Sequence, residues 1–224
     1  MKIVVCGDSF ASACTGSPGL HFSELLMDRH EVINLARGGI SNVAIAFQLE
    51  QAFKLNPDVL IYTNTGGRRI EVPNNGKRFN KKLGLKNFAY PYMSDASSKS
   101  EYVGDITAPV LSDVIECFIN EPRGDQNWRI SDEMKIAVKY YITYLYDDAL
   151  KDTVDNWAIE HWITQHKSKE VLILNLKVVG AAAYEFFKNN RELALTIATY
   201  HTDSETQVLI ANNIRKEIEL CEKK

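Results

Sequence analysis

Residues suited to catalysis occur within the first ten positions of the chain. The sequence begins MKIVVCGDSF, in which the run from Lys2 to Cys6 is followed by Gly7, Asp8 and Ser9. A serine just beyond a buried strand can act as a nucleophile if a base removes its proton and hydrogen-bond donors hold the oxyanion. The same residues also fit a simpler role, in which Asp8 and Ser9 cap the following segment. From these residues alone capping is favoured, because short motifs often match by chance.

The apolar pattern predicts the elements that would position Ser9. Four strands are predicted, at Lys2–Cys6, Glu31–Leu35, Val59–Tyr62 and Val171–Leu176. Five helical segments are predicted: Phe22–Asp28, Ser41 or Asn42 to about Leu55, Ser131 to about His166 with one break, Ala181–Asn189 and Thr206–Glu222. The opening β-α-β-α-β order predicts a parallel sheet with helices on both faces. Ligands of such sheets bind beyond the carboxyl ends of the strands, where Ser9 follows the first strand.

Helical spacing predicts which side chains face the core. The inward positions are Leu25 and Leu26 in the first helix, Val43, Ala46, Phe47 and Phe53 in the second, and Val208, Leu209, Ala211, Ile214 and Ile218 in the last. An aromatic stripe is interpreted as core packing, with sugar stacking as the minor alternative; it comprises Tyr140, Tyr141, Tyr144, Trp157 and Trp162. His21 and His30 flank the first helix and are predicted at the surface or at helix ends.

Length, charge and cysteine spacing limit the function classes. The 224 residues predict one domain, 1–224, with a loop-rich insertion at about 73–130 that would border the Ser9 crevice. A formal net charge of −3 gives no reason to expect nucleic acid or an anionic membrane as a partner. The four cysteines have neither CxxC nor zinc-ligand spacing and are expected to be reduced. We therefore predict no metal, no other cofactor and, without a recognisable signal peptide or membrane span, a cytoplasmic location.

Three segments, in order along the chain, resemble sequence blocks of the SGNH (GDSL-like) hydrolases. They are Gly7-Asp8-Ser9, the stretch VINLARGGISN that contains Gly39, and the stretch HTDSETQVLIA that begins at His201. This family consists of serine esterases and acyl hydrolases. The resemblance is to a divergent, phage-type branch of the family, which allows a virus-encoded origin. It implies a flavodoxin-like three-layer α/β/α sandwich. Its central parallel sheet would have about four to five strands.

The resemblance also implies a role for each matching residue. Ser9 would be the nucleophile and His201 its base, while the N–H groups of Ser9 and Gly39 would hold the oxyanion. The Gly-x-Asn that supplies the family's third oxyanion donor is missing. Thr65 or Asn64 could replace it, since both follow the third predicted strand.

The acid of the triad is the second departure from the family. Ala198 stands three residues before His201, where the family has an aspartate. Asp203 is a candidate replacement, although capping of the following helix is its favoured role. Losing the acid costs a triad up to ~10⁴ in kcat. Arg69, near the end of the third strand, is predicted either to bind an acidic substrate group or to pair with Glu71.

The predicted function is a serine esterase or acyl hydrolase of the O-deacetylase type, acting on a small-molecule or glycan ester through a Ser-His dyad or divergent triad. The first alternative is a catalytically inactive binding or structural protein on the SGNH scaffold, which the missing acid favours. The second is a flavodoxin-like nucleotide or phosphate binder, although the chain has neither a P-loop nor a GxGxxG motif.

Overall fold

The computed structural model describes residues 1–8, 10–12, 19–36, 40–65, 72–73, 106–107, 136, 140–141, 143–179 and 204–223. Within these ranges the strands are β1 (Lys2–Cys6), β2 (Glu31–Asn34), β3 (Val59–Tyr62), β4 (Val72–Pro73), β5 (Ile106–Thr107) and β6 (Leu172–Asn175). The helices are α1 (Phe22–Leu25), which continues as a 3₁₀ turn over Leu26–Asp28, α2 (Asn42–Leu55), α3 (Asp148–Lys167), α4 (Leu176–Val179) and α5 (Ser204–Glu222). Most of the predicted insertion and the predicted helix at 181–189 lie outside the described residues.

Four parallel strands form the central sheet in the order β2-β1-β3-β6. Helices cover both faces, so the fold is the predicted three-layer α/β/α sandwich. The β4 and β5 strands form a separate antiparallel pair. No helix in the described ranges is both long and apolar enough to cross a membrane.

The two faces of the sheet follow from the alternation of side chains along its strands. Ile3 and Val5 belong to a core shared with α1 and α5, whereas Val4 and Cys6 belong to a core shared with α2 and α3. Successive strand residues point to opposite faces, so an unbroken apolar run suits a strand covered on both sides. The sandwich therefore has two hydrophobic cores, one on each side of the sheet.

The inner faces of the helices differ from the sequence prediction at several positions. Val208 and Leu209 of α5 are exposed, while Thr206, Gln207 and Ile210 are buried. In α2 the predicted Val43, Phe47 and Phe53 are half-buried, and the fully covered positions include Ala44, Ile45, Gln48 and Leu49. In both helices a buried glutamine occupies an inward position that an apolar count overlooks.

The aromatic stripe is not a core. Tyr140, Tyr141, Tyr144 and Trp157 are exposed, and only Trp162 packs against the core beside α2. The face that α3 turns to α2 is set by Ile159, Ile163 and His166, so Trp157 lies off it. The predicted break in the long helical segment is observed at Leu145–Asp147.

Candidate functional site

The strand order predicts where a ligand-binding crevice lies, at the carboxyl ends of the two central strands. From β1 the chain passes to β2 on one side and then to β3 on the other, so the direction of sheet growth reverses between β1 and β3. Open parallel sheets bind ligands at such a switch point, beyond the carboxyl ends of the strands. We call this space the switch-point crevice. Gly7–Asp8 and Thr63–Thr65, which follow β1 and β3, border it.

Gly7 allows the two bordering loops to touch. Its φ is +152°, and a Cβ at this position would collide with Thr63 Cγ2 and lie 2.8 Å from Ala11 Cβ. Both the backbone conformation and the lack of space therefore require glycine. The abrupt end of β1 in a glycine is explained by this close approach.

Asp8 caps the turn that begins the loop. Its Oδ1 accepts a hydrogen bond from Phe10 N at 3.1 Å, and its carbonyl accepts from Ala11 N and Ser12 N, both at 3.1 Å. These are the bonds of a residue that caps a helical turn. The capping role proposed from sequence is thus observed for Asp8.

Two amide side chains of α2 bind the bordering loops. Gln48 Oε1 accepts from Gly7 N at 2.6 Å, and Gln48 Nε2 donates to Gly7 O at 3.3 Å. Asn42 Oδ1 accepts from Thr65 N at 2.8 Å, and Asn42 Nδ2 donates to Thr65 O at 2.9 Å. We call these two pairs the amide clamps. Each satisfies both polar groups of one backbone residue just past a strand end.

A third amide, Asn34, joins the β1 loop to α1. Its Nδ2 donates to Ala11 O at 2.9 Å and to Ser23 Oγ at 3.0 Å, and its Oδ1 accepts from Ala36 N at 2.9 Å. Because Asn34 bonds the backbone two residues ahead, the chain turns and β2 ends one residue before the predicted Leu35. Asn34 therefore both ends β2 and ties its end to the β1 loop.

His21 lies at a helix end, the start of α1, which is one of the two places predicted from sequence, and it is buried there rather than at the surface. It is the N-cap, and its Nδ1 accepts from Ser23 N at 3.3 Å. Ser23 Oγ lies 2.7 Å from the same nitrogen, and because Nδ1 accepts from Ser23 N and so carries no proton, the hydroxyl donates to it. This pattern assigns the neutral tautomer with its proton on Nε2.

The start of α5 is bonded to the start of α1. Gln207 Oε1 accepts from Phe22 N at 2.8 Å, and Gln207 is buried. Ala11, Phe22 and Ala211 also share one core cluster. The β1 loop is thus linked to the first turn of α5 in two steps. Asn34 bonds Ala11 of the loop to Ser23 of α1, and the neighbouring Phe22 is bonded to Gln207 of α5.

Cys6, at the end of β1, is unsuited to act as a nucleophile. Its side chain is fully buried, and burial raises the pKa of the thiol far above its ordinary value. A thiol held in its protonated form is a poor nucleophile. Cys6 and Cys221 are free thiols, as the sequence predicted.

Five of the predicted site residues lie outside the described ranges: Ser9, Gly39, Arg69, His201 and Asp203. Asn64 and Thr65 are described, and both are half-buried beside the crevice. Sequence reasoning missed the amide residues Asn34, Asn42 and Gln48. Neither a known sequence family nor a curated protein matches the chain.

Proposed function

We propose that the chain is a serine esterase or acyl hydrolase of the SGNH type, with Ser9 as nucleophile and His201 as base. Its substrate is a small-molecule or glycan ester of the O-acetyl type. One observation carries the proposal: the hydrogen bonds that link the β1 loop to the first turn of α5. Ser9 belongs to that loop, and His201 comes three residues before Ser204, where α5 begins.

Chain length makes a meeting of the two residues feasible. Three extended residues span at most about 11 Å, so His201 must lie within that distance of Ser204. Ser9 stands between Asp8 and Phe10, whose turn is bonded through Ala11 to Asn34. The described residues next to Ser9 and those at the start of α5 are therefore bonded to the same first turn of α1, although Ser9 and His201 are 192 positions apart in the sequence.

The reaction follows from these roles. Ser9 Oγ attacks the ester carbonyl as its proton passes to His201, which then gives that proton to the departing alcohol. Water, deprotonated by His201, attacks the acyl-serine carbonyl in the second half-reaction. The acid is released, and the proton returns to Ser9.

Oxyanion stabilisation needs donors directed into the crevice. The N–H groups of Ser9 and Gly39 are the first two in this proposal. The Thr65 N–H already binds Asn42 Oδ1, which leaves the Asn64 amide or the Thr65 hydroxyl as the third. The Asn64 side chain is favoured, because it makes no hydrogen bond with another described residue and an amide is a stronger match to the family's donor.

The remaining roles are those of the group that orients the histidine and of the group that binds substrate. Ala198 gives the histidine no carboxylate at the usual place, so Asp203 or a backbone carbonyl would have to orient the ring. Arg69 follows β3 by seven residues and would offer a cation to an acidic substrate group. We therefore expect a slow hydrolase compared with complete triads.

The test is covalent labelling with a fluorophosphonate probe, followed by peptide mass spectrometry, together with hydrolysis of a simple aryl acetate. We expect the label on Ser9, and we expect Ser9→Ala to lower hydrolysis by ~10³-fold or to background. Ser168→Ala is the matched control. Ser168 is exposed at the end of α3, where its hydroxyl donates to Gln165 O, so this variant should keep both activities.

Absence of label and of Ser9-dependent hydrolysis would overturn the proposal. The alternative, an inactive protein that binds its ligand on the same scaffold, would then be favoured.

A further inference from the structure

Through the amide clamps, one helix binds the loops on both sides of the crevice. Asn42 and Gln48 are six residues apart on α2, which corresponds to about 9 Å along the helix axis. Asn42 holds Thr65 after β3, and Gln48 holds Gly7 after β1. The distance between the two loops is therefore tied to the length of a rigid segment.

The helix itself is fixed against the strands that carry these loops. Ala44, Ile45 and Leu49 of α2 are buried in the same cluster as Val4 of β1 and Leu60 of β3. The hydroxyl of Ser41 caps the first turn by accepting from Ala44 N at 3.3 Å. Any movement of α2 that displaced the bound loops would therefore also disrupt the packing of α2 against β1 and β3.

The carboxamide group suits this task because it carries both a C=O and an N–H₂ group. Each clamp therefore binds the N–H and the C=O of one residue at once, as backbone partners would in a sheet. A charged side chain can only accept or only donate, and a hydroxyl would have to do both through a single oxygen atom. The clamps thus give Gly7 and Thr65, which lie beyond the ends of their strands, the two backbone hydrogen bonds that a neighbouring strand would supply.

We infer that Asn42 and Gln48 are positioning residues that set the width of the switch-point crevice. This inference rests on the proposed function for its catalytic consequence. The Gly7 loop leads to the nucleophile Ser9, and the Thr65 loop carries Asn64, the favoured oxyanion donor. Misplacing a reacting group by about 1 Å can cost ~10²-fold in rate. Loss of a clamp should therefore lower kcat more than it changes KM.

The experiment compares Asn42→Leu and Gln48→Met with Gln51→Met. Leucine and methionine keep similar side-chain volume but bind neither loop. Gln51 lies on the same helix and is half-buried, and its side chain makes no hydrogen bond to another described residue, so it controls for the chemical change. We expect kcat for aryl acetate to fall ~10- to 100-fold in the first two variants, with KM within about twofold. The control should match wild type.

Hydrogen exchange provides a readout that does not depend on activity. The amides of Gly7 and Thr65 should exchange slowly in wild type, and each should exchange faster in the variant that lacks its own clamp. If Gln48→Met fails to fold, Asn42→Leu decides the question, because its clamp is only partly buried. Unchanged kcat in a folded variant would overturn the positioning role and leave the proposed hydrolase intact.

A wild type without Ser9 labelling would instead end the proposed function. In that case the exchange data decide the inference alone. Faster exchange confined to the released loop would support control of the crevice by α2, and unchanged exchange would overturn it.

Discussion

Gly7 and Asp8 have separate structural tasks beside the proposed nucleophile. Gly7 permits contact between the β1 and β3 loops, and Asp8 caps the turn that follows. Neither task requires the hydroxyl of Ser9.

Substitution of Gly7 should be costly for two reasons. In Gly7→Ala the new methyl group meets Thr63 Cγ2 and Ala11 Cβ, and the backbone keeps a φ that is unfavourable for alanine. We expect a loss of about 2–5 kcal/mol in the free energy of unfolding, combining overpacking and backbone strain. Urea denaturation followed by circular dichroism measures it.

Gly19→Ala is the matched control for this prediction. Gly19 also has a positive φ, +79°, but a Cβ there would meet nothing within 4 Å. Its loss should be about 1–2 kcal/mol, from strain alone. Equal losses in the two variants would contradict the argument that crowding between the loops requires glycine at position 7.

At the scale of elements, α3 is joined to α2 by a buried histidine. His166 Nε2 donates to Leu49 O at 3.0 Å, and its ring lies edge-on to Phe53, with centroids 5.5 Å apart. Lys169 extends the contact by donating to Phe53 O at 3.3 Å and to Asn56 Oδ1 at 3.1 Å. The second ring nitrogen of His166 is buried without a hydrogen-bond partner among the described residues. A proton on that nitrogen would be unsatisfied.

This arrangement predicts a loss of stability in mild acid. Burial, and secondarily the Lys169 charge, lower the pKa of His166 despite the opposing hydrogen bond to Leu49. As the pH falls below about 6.5, His166 binds a proton in the unfolded chain but not in the folded chain. The free energy of unfolding therefore decreases with falling pH until the lowered pKa of the folded state is reached. The slope for one proton is at most about 1.4 kcal/mol per pH unit. Above pH 6.5 this group should contribute no pH dependence.

Urea denaturation at a series of pH values from about 7.5 to about 5, a range that spans the ordinary histidine pKa of about 6.5, measures the effect. His166→Gln keeps an N–H donor for Leu49 O without a titrating ring, and should reduce the slope below pH 6.5. Burial is also the main cause of a lowered pKa at His30, so His30→Gln should reduce the slope independently. A His166→Gln slope equal to that of wild type would contradict the prediction.

The elements themselves differ in how far sequence could predict them. The bounds of β1 and β3 were predicted to the residue, because both are apolar runs covered on two faces. β6 ends at Asn175, before the predicted Leu176, since the Asn175 side chain accepts from Lys177 N. That capping depends on one local hydrogen bond, which an apolar pattern does not reveal.

The supporting residues of the site were beyond sequence reasoning for a different reason. Asn42 and Gln48 bind residues 23 and 41 positions away, and an amide on a helix is ordinarily exposed. Gln207 likewise binds a residue 185 positions away. Periodicity predicts an inward position only where the residue is apolar. It therefore overlooks buried amides, and it predicted Val208 and Leu209, which are exposed, in the core.

At the scale of the whole molecule, the sheet divides into central and flanking strands. Within the described residues β1 is bonded to β2 and β3, and β3 is bonded to β1 and β6, while β2 and β6 each have one neighbour. The residues of β1 from Ile3 to Cys6 are fully buried, whereas β2 is only partly buried over most of its length. Opening of β1 or β3 would break two ladders and both cores, so these strands should separate only when the molecule unfolds.

Native-state hydrogen exchange tests this division. We expect the amides of β1 and β3 to exchange at least ~10-fold more slowly than those of β2 and β6, corresponding to about 1.4 kcal/mol of additional opening free energy. Exchange measured by mass spectrometry at low urea concentrations should show β1 and β3 responding with the full denaturant dependence of global unfolding, and β2 with little. Equal protection of β6 and β3 would contradict the assignment of β6 as an edge. It would instead indicate that a segment outside the described ranges pairs with β6, giving the five-strand form of the sheet.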